Sequence, residues 1–174
     1  MSHLNEQVSS IQSEILSDDH RLAIKAVDRL VQMDKNLAYD YLMSLLETTN
    51  PIYRDRAALG LHEIGDNRAL EPLFTAIIKP ENNNTTGTLV FALTTLDCST
   101  KLKEVFDLLF KGSYEVKMGA TTILDKQIFE FTKDDLLSIK SKWEYIQKHP
   151  EECPSFDECR GDIEAIVNSY LSYL

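Results

Sequence analysis

Three apolar stripes repeated at a fixed offset constrain this chain more than any other feature. Ala38, Tyr41, Leu42, Leu45 and Leu46 recur 32 positions later as Leu70, Leu73, Phe74, Ile77 and Ile78. They recur 32 positions later again as Leu102, Val105, Phe106, Leu109 and Phe110. Within each set the spacing is i, i+3, i+4, i+7, i+8, which is one face of an α-helix. A second stripe precedes each of these: Ala57, Ala58, Leu61 and Ile64 are echoed at the same offset by Leu89, Val90, Leu93 and Leu96. Ala26, Leu30 and Met33 fill that role one residue out of phase. The repeated unit is a helical hairpin, and one hairpin alone leaves an apolar face in water, so neighbours have to stack. The expected fold class is all-α: an α-α superhelix of the solenoid type, with about ten helices and no strand.

The punctuation agrees with this spacing. Asn50 followed by Pro51 reads as an N-cap with proline at the first helical position. Gly65-Asp66-Asn67 falls where a first helix has to end. Pro80 to Gly87, with its run of asparagines, reads as a loop between hairpins. The expected organisation is a single domain, 1–174, with repeats at about 20–48, 51–79, 85–111 and 113–146. Capping helices are expected at 4–17 (Leu4, Val8, Ile11, Ile15) and 157–173 (Ile163, Ile166, Val167, Tyr170). Leu136, Ile139, Trp143 and Ile146 mark the helix between. Trp143 falls on that apolar spacing and is expected in the core.

The segment from Tyr53 to Leu73 carries a family resemblance. Arg54, Ala57, Ala58, Leu59-Gly60, Ile64-Gly65-Asp66 and Arg68-Ala69-Leu70-Glu71-Pro72-Leu73 occur in the order in which a HEAT-like repeat, named from phycobilisome lyases, carries such residues. The chain resembles that family most over 51–79, less over 20–48 and 85–111, and only in its apolar skeleton over 113–146. The resemblance implies an α-α superhelix of stacked helical hairpins.

Composition narrows the function. With 28 acidic against 18 basic residues the net charge is -10, which disfavours nucleic acid and anionic membranes and favours basic partners. No apolar run is long enough to span a bilayer, and the N-terminal residues lack the basic and apolar regions of a signal peptide, so a cytoplasmic chain is expected. Cys98, Cys153 and Cys159 form no even framework and no zinc-ligand spacing, and read as reduced thiols.

Enzymes with HEAT-like folds exist, but their signatures are missing. HEAT-repeat hydroxylases bind iron through His-Glu pairs on successive repeats; this chain has His62-Glu63, and the next repeat has Thr94-Thr95 instead. HEAT-like glycosylases need a basic groove, and the charge here has the opposite sign. No cysteine or histidine cluster marks a tetrapyrrole site. No catalytic residue, cofactor or metal is therefore expected, and the chain is read as not an enzyme.

In a solenoid the second helices line the concave surface, and the stripe opposite their buried one is the exposed face. Counting along them gives exposed rows that include Asp40, Pro72 and Glu104, and Met43, Thr75 and Asp107, with Tyr39 and Glu71 at the flank. Tyr39, Asp40, Met43, Glu71, Thr75, Glu104 and Asp107 are the candidate protein-binding residues. Their mildly acidic face suits a basic protein surface. The acidic connection 149–162 is a second candidate surface. The expected function is a non-catalytic protein-binding solenoid, most specifically an immunity-type protein that occludes a toxin domain. An adaptor or assembly subunit is the alternative, and a lyase- or hydroxylase-like enzyme the more remote one.

Overall fold

The structure is a computed structural model that describes residues 2–82 and 85–174. Every regular element in the described residues is helical, with ten α-helices and no strand. Two compact units divide the chain, one ending at Leu96 and the other running from Asp97 to Leu174.

The first unit holds α1 (Ser2–Ile15), α2 (His20–Met33), α3 (Lys35–Leu46), α4 (Pro51–Ile64), α5 (Leu70–Ile78) and α6 (Gly87–Leu93). Helix starts follow from side-chain caps: Asp19 accepts from the Arg21 and Leu22 amides, and Asp34 from those of Asn36 and Leu37. Asn50 caps α4 through the Ile52 amide with Pro51 at its first turn, as the sequence predicts. Helix α4 ends at Gly65 in the left-handed conformation (φ 65°, ψ 27°), where a side chain would be strained. Helices α1 to α4 pack each against the next, α5 packs on α6, and α4 also packs on both α2 and α6. Small residues set that close approach: Ala23, Ala26, Ala57 and Ala58 are fully buried. Gly60 lies where a Cβ would come within 2.5 Å of Leu42 Cδ1 and 2.8 Å of Val27 Cγ1.

The second unit holds α7 (Leu102–Lys111), α8 (Tyr114–Lys126), α9 (Lys133–Lys148) and α10 (Phe156–Leu171). Its core is aromatic where the first is aliphatic. Phe110 stacks on Trp143 at 5.9 Å between ring centroids and meets Phe106 at 5.7 Å, while Trp143 meets Phe156 at 6.1 Å. Trp143 is thus a core residue, as its spacing predicts. A reciprocal cap opens α9: the Thr132 hydroxyl accepts from the Asp135 amide, and the Asp135 carboxylate from the Thr132 amide. The Lys103 ammonium 2.8 Å away, together with Thr132, holds the Asp135 carboxyl at about 2. Because that value lies below the unfolded one, this contribution to stability is fully present above the ordinary carboxylate range and is lost progressively as pH falls from that range through about 2.

Several expectations need correction. Ile78, placed in the buried stripe, is 73% exposed, because α5 ends there and the buried face closes with Ala76 and Ile77. Helix α6 has only seven residues: Thr94 turns its hydroxyl back to the Phe91 carbonyl (2.7 Å), competing with helix continuation. Leu96 lies beyond its end and is nevertheless buried. The expected loop from Pro80 begins with a 3₁₀ turn, Pro80–Asn82, whose Asn82 amide is buried and donates to the Ala76 carbonyl at 2.8 Å. Asn83 and Asn84 of that loop lie outside the described residues.

Gly60→Ala is the sharpest test of this packing. The added methyl is expected to cost about 1–2 kcal/mol net, overpacking outweighing the better helix propensity of alanine. Urea unfolding of the two proteins measures it; an unchanged or raised midpoint would contradict the close approach at this position.

Candidate functional site

The expected binding residues divide between the two units, so each part is described within its own. In the first unit, Asp40 is exposed on α3, and Glu71 and Thr75 are exposed on α5. Met43, Glu47, Glu71, Pro72, Thr75 and Lys79 line one shallow groove of about 340 Å³ between the two helices. Three of the expected residues, Met43, Glu71 and Thr75, are therefore brought together. Met43 and Pro72 are half-buried and give the groove an apolar floor, while Glu47 and Glu71 supply its acidic side.

Tyr39 sits differently from its expected exposed position. It is only 9% exposed, and the Arg68 guanidinium lies over its ring at 4.3 Å from the centroid. Burial raises the Tyr39 phenol above its ordinary range, partly offset by Arg68. Arg68 is itself held by Asp66 through two hydrogen bonds of 2.9 and 2.6 Å. The group exposed at this flank is the guanidinium rather than the ring. The counting rule failed here because it assigns positions to faces without knowing which side chain will fold over another.

In the second unit, Glu104 and Asp107 both lie on α7, and neither is a bare acid. The Lys101 ammonium approaches Glu104 at 3.6 Å. Lys142 from α9 donates to both oxygens of Asp107, at 2.7 and 2.9 Å. This part of the face is charge-balanced, which sequence counting along single helices misses, since Lys142 is 35 residues away. A second shallow pocket of about 330 Å³ includes Asp107, Lys111, Lys142, Tyr145 and Glu152. Tyr145 donates its hydroxyl to Glu152 at 2.7 Å, which brings one residue of the acidic connection 149–162 onto α9.

His62-Glu63 forms no metal cradle. The His62 ring packs edge-on against Phe91 at 4.2 Å, and burial lowers its basicity. Glu63 is raised by burial first and by the nearby Asp28 carboxylate second. Among the described residues, no group of three or more His, Cys, Asp and Glu side chains is placed to hold a metal ion. Likewise no helix of the described residues is long and apolar enough to cross a membrane. Cys98 is buried, and desolvation pushes its thiol up to about 11, far from the reactive range.

No family model matches the chain, and no curated protein matches it.

The Lys142–Asp107 pair is expected to matter little for stability, because both side chains are about two-fifths exposed, 41% and 43%. A double-mutant cycle with Lys142→Met and Asp107→Asn, read by urea unfolding, is expected to give a coupling of about 0.2–1 kcal/mol. A coupling several times larger would make the pair a structural tie rather than a surface one.

Proposed function

We propose that this chain is a non-catalytic protein-binding solenoid of the HEAT-like type, which holds a basic partner on the outer faces of α3 and α5. The observation that carries this reading is the α3–α5 groove, where an apolar floor of Met43 and Pro72 is flanked by the acids Glu47 and Glu71, against the single cation Lys79, with Asp40 exposed on the same helix as Met43. An apolar centre rimmed by charge is the composition of protein interfaces, with the charges contributing orientation and association rate. The net charge of -10 adds a long-range attraction for basic surfaces. The same features support the narrower reading as an immunity-type protein of the cytoplasm, occluding a basic toxin domain. They support the second unit less, because Asp107 and Glu104 already have lysine neighbours.

The test is a pull-down of tagged protein from its native cell lysate at low and moderate salt, beside the variant Asp40→Lys/Glu71→Lys/Thr75→Lys. The expected result is one stoichiometric basic protein, lost as salt rises and retained at least about tenfold less by the variant. Coexpression then checks the narrower role: the partner alone should arrest growth, and the wild-type chain, but not the variant, should relieve it. A partner held equally well by both proteins, or none at all, overturns the reading.

A further inference from the structure

A second feature lies wholly within the second unit and owes nothing to the α3–α5 groove. The last turns of α8 and α10 meet the extended segment 127–131 around a cavity of about 490 Å³. Phe129, Phe131, Tyr170 and Tyr173 line it, together with Asp125 and Gln127. The rings stand at steep angles to one another: Phe131 and Tyr170 have centroids 6.1 Å apart at 64°, Phe131 and Tyr173 are 5.6 Å apart at 59°, and Phe129 and Tyr170 are 6.3 Å apart at 69°. The rings thus meet edge to face or tilted rather than stacked, and border the cavity at different angles.

Hydrogen bonds fix the residues that border it. The Gln127 side-chain carbonyl accepts from the Cys98 amide at 2.8 Å, and the Glu130 amide donates to the Ser99 carbonyl at 2.9 Å, which pins both ends of the aromatic segment. Tyr170 rests edge-on against the buried Phe106 at 5.2 Å and donates its hydroxyl to the Leu124 carbonyl at 3.1 Å. Burial, with Asp125 and Tyr173 adding to it, pushes the Tyr170 phenol up to about 12, so it remains a neutral donor. Tyr173, by contrast, is 72% exposed and forms the open wall.

The charged side chain and the helix ends at this cavity have the same sign. Asp125 is the one charged side chain among its described lining residues. The carboxyl-terminal ends of α8 and α10, the negative poles of two helix dipoles, both lie at its wall. Aromatic faces are negative as well, and they favour cations that shed water easily. We propose that this cavity is a binding site for an organic ammonium group, of the bulky alkylated kind, with Phe131, Tyr170 and Tyr173 as its walls and Asp125 as its counter-charge. An inorganic cation is disfavoured because the walls offer it few oxygens in exchange for its water. The group can be carried by a small molecule such as choline or by a methylated lysine side chain; the recognition chemistry is shared.

NMR titration of the full chain separates these possibilities, with tetramethylammonium, choline, the neutral isostere 3,3-dimethylbutan-1-ol and a trimethyl-lysine peptide as probes at matched ionic strength. The expected result is that the ammonium probes shift resonances within 124–131 and 166–173, and that choline binds about tenfold more tightly than its neutral isostere. Asp125→Asn and Tyr173→Leu, both at exposed positions, should each weaken choline several-fold with the unfolding midpoint unchanged. A peptide that binds more tightly than choline assigns the site to a protein-borne cation, and the reverse order to a free one. Equal binding of choline and its isostere, or no shift at these residues at tens of millimolar ammonium, overturns the proposal.

Discussion

Buried positive charge at the ends of helices is the interaction on which the rest of this structure depends. Among the described residues the buried charged side chains are Arg54, Arg56 and Lys117, and no acid joins them. Each one ends on main-chain carbonyls at or just past a helix carboxyl terminus. Arg56 donates to the Ile15 carbonyl, the last of α1, at 2.6 Å. Arg54 reaches the Thr48 carbonyl just past α3 at 3.0 Å, and also the Thr85 hydroxyl at 3.1 Å. Lys117 donates to the Phe110 and Gly112 carbonyls at the end of α7, at 3.3 and 2.6 Å. The terminal carbonyls of a helix have no partner within it and carry its negative pole, so a buried cation there satisfies acceptors and charge together.

That arrangement explains how short helices with polar ends can be packed into a core. In the first unit, α4 carries Arg54 and Arg56 and so fastens the ends of two other helices while its own alanines and Gly60 allow close stacking. In the second, Lys117 of α8 closes the turn that follows α7, and burial holds its amino group below the usual lysine range. Seen this way, the cavity beneath Tyr170 belongs to the same physics. Two more helix ends lie at its wall, with Asp125 in place of a buried cation among the lining residues.

Sequence spacing made much of the fold legible and little of this electrostatics. The stripe at Leu102, Val105, Phe106, Leu109 and Phe110 is buried throughout, and Asn50-Pro51 and Gly65 bound α4 as read. Those signals are local, and local physics decides them. Ile78 was misplaced because periodicity cannot see where a helix stops, and Tyr39 because it cannot see Arg68 folding across the ring. Arg54 was singled out only as part of a repeat motif, although a basic residue set among Ala57, Ala58 and Leu61 is the one visible hint of a buried cation. Phe129 and Phe131 alternate along an extended segment, a signal too short to separate from an ordinary loop until Tyr170 and Tyr173 arrive from α10. Counting along the helices puts Met43, Glu71 and Thr75 on faces that meet in one groove, whereas the pairing of Asp107 with Lys142 depends on tertiary contact.

Replacing Arg56 by methionine and by lysine tests this account most directly, because burying a cation can cost more than it returns. If the guanidinium on the Ile15 carbonyl holds α4 to α1, Arg56→Met should lose about 1–3 kcal/mol in urea unfolding, with Arg56→Lys falling between it and the wild type. A methionine variant as stable as the wild type, or more so, would mean that the buried charge is merely tolerated, and the account of what ties these helices together would fail.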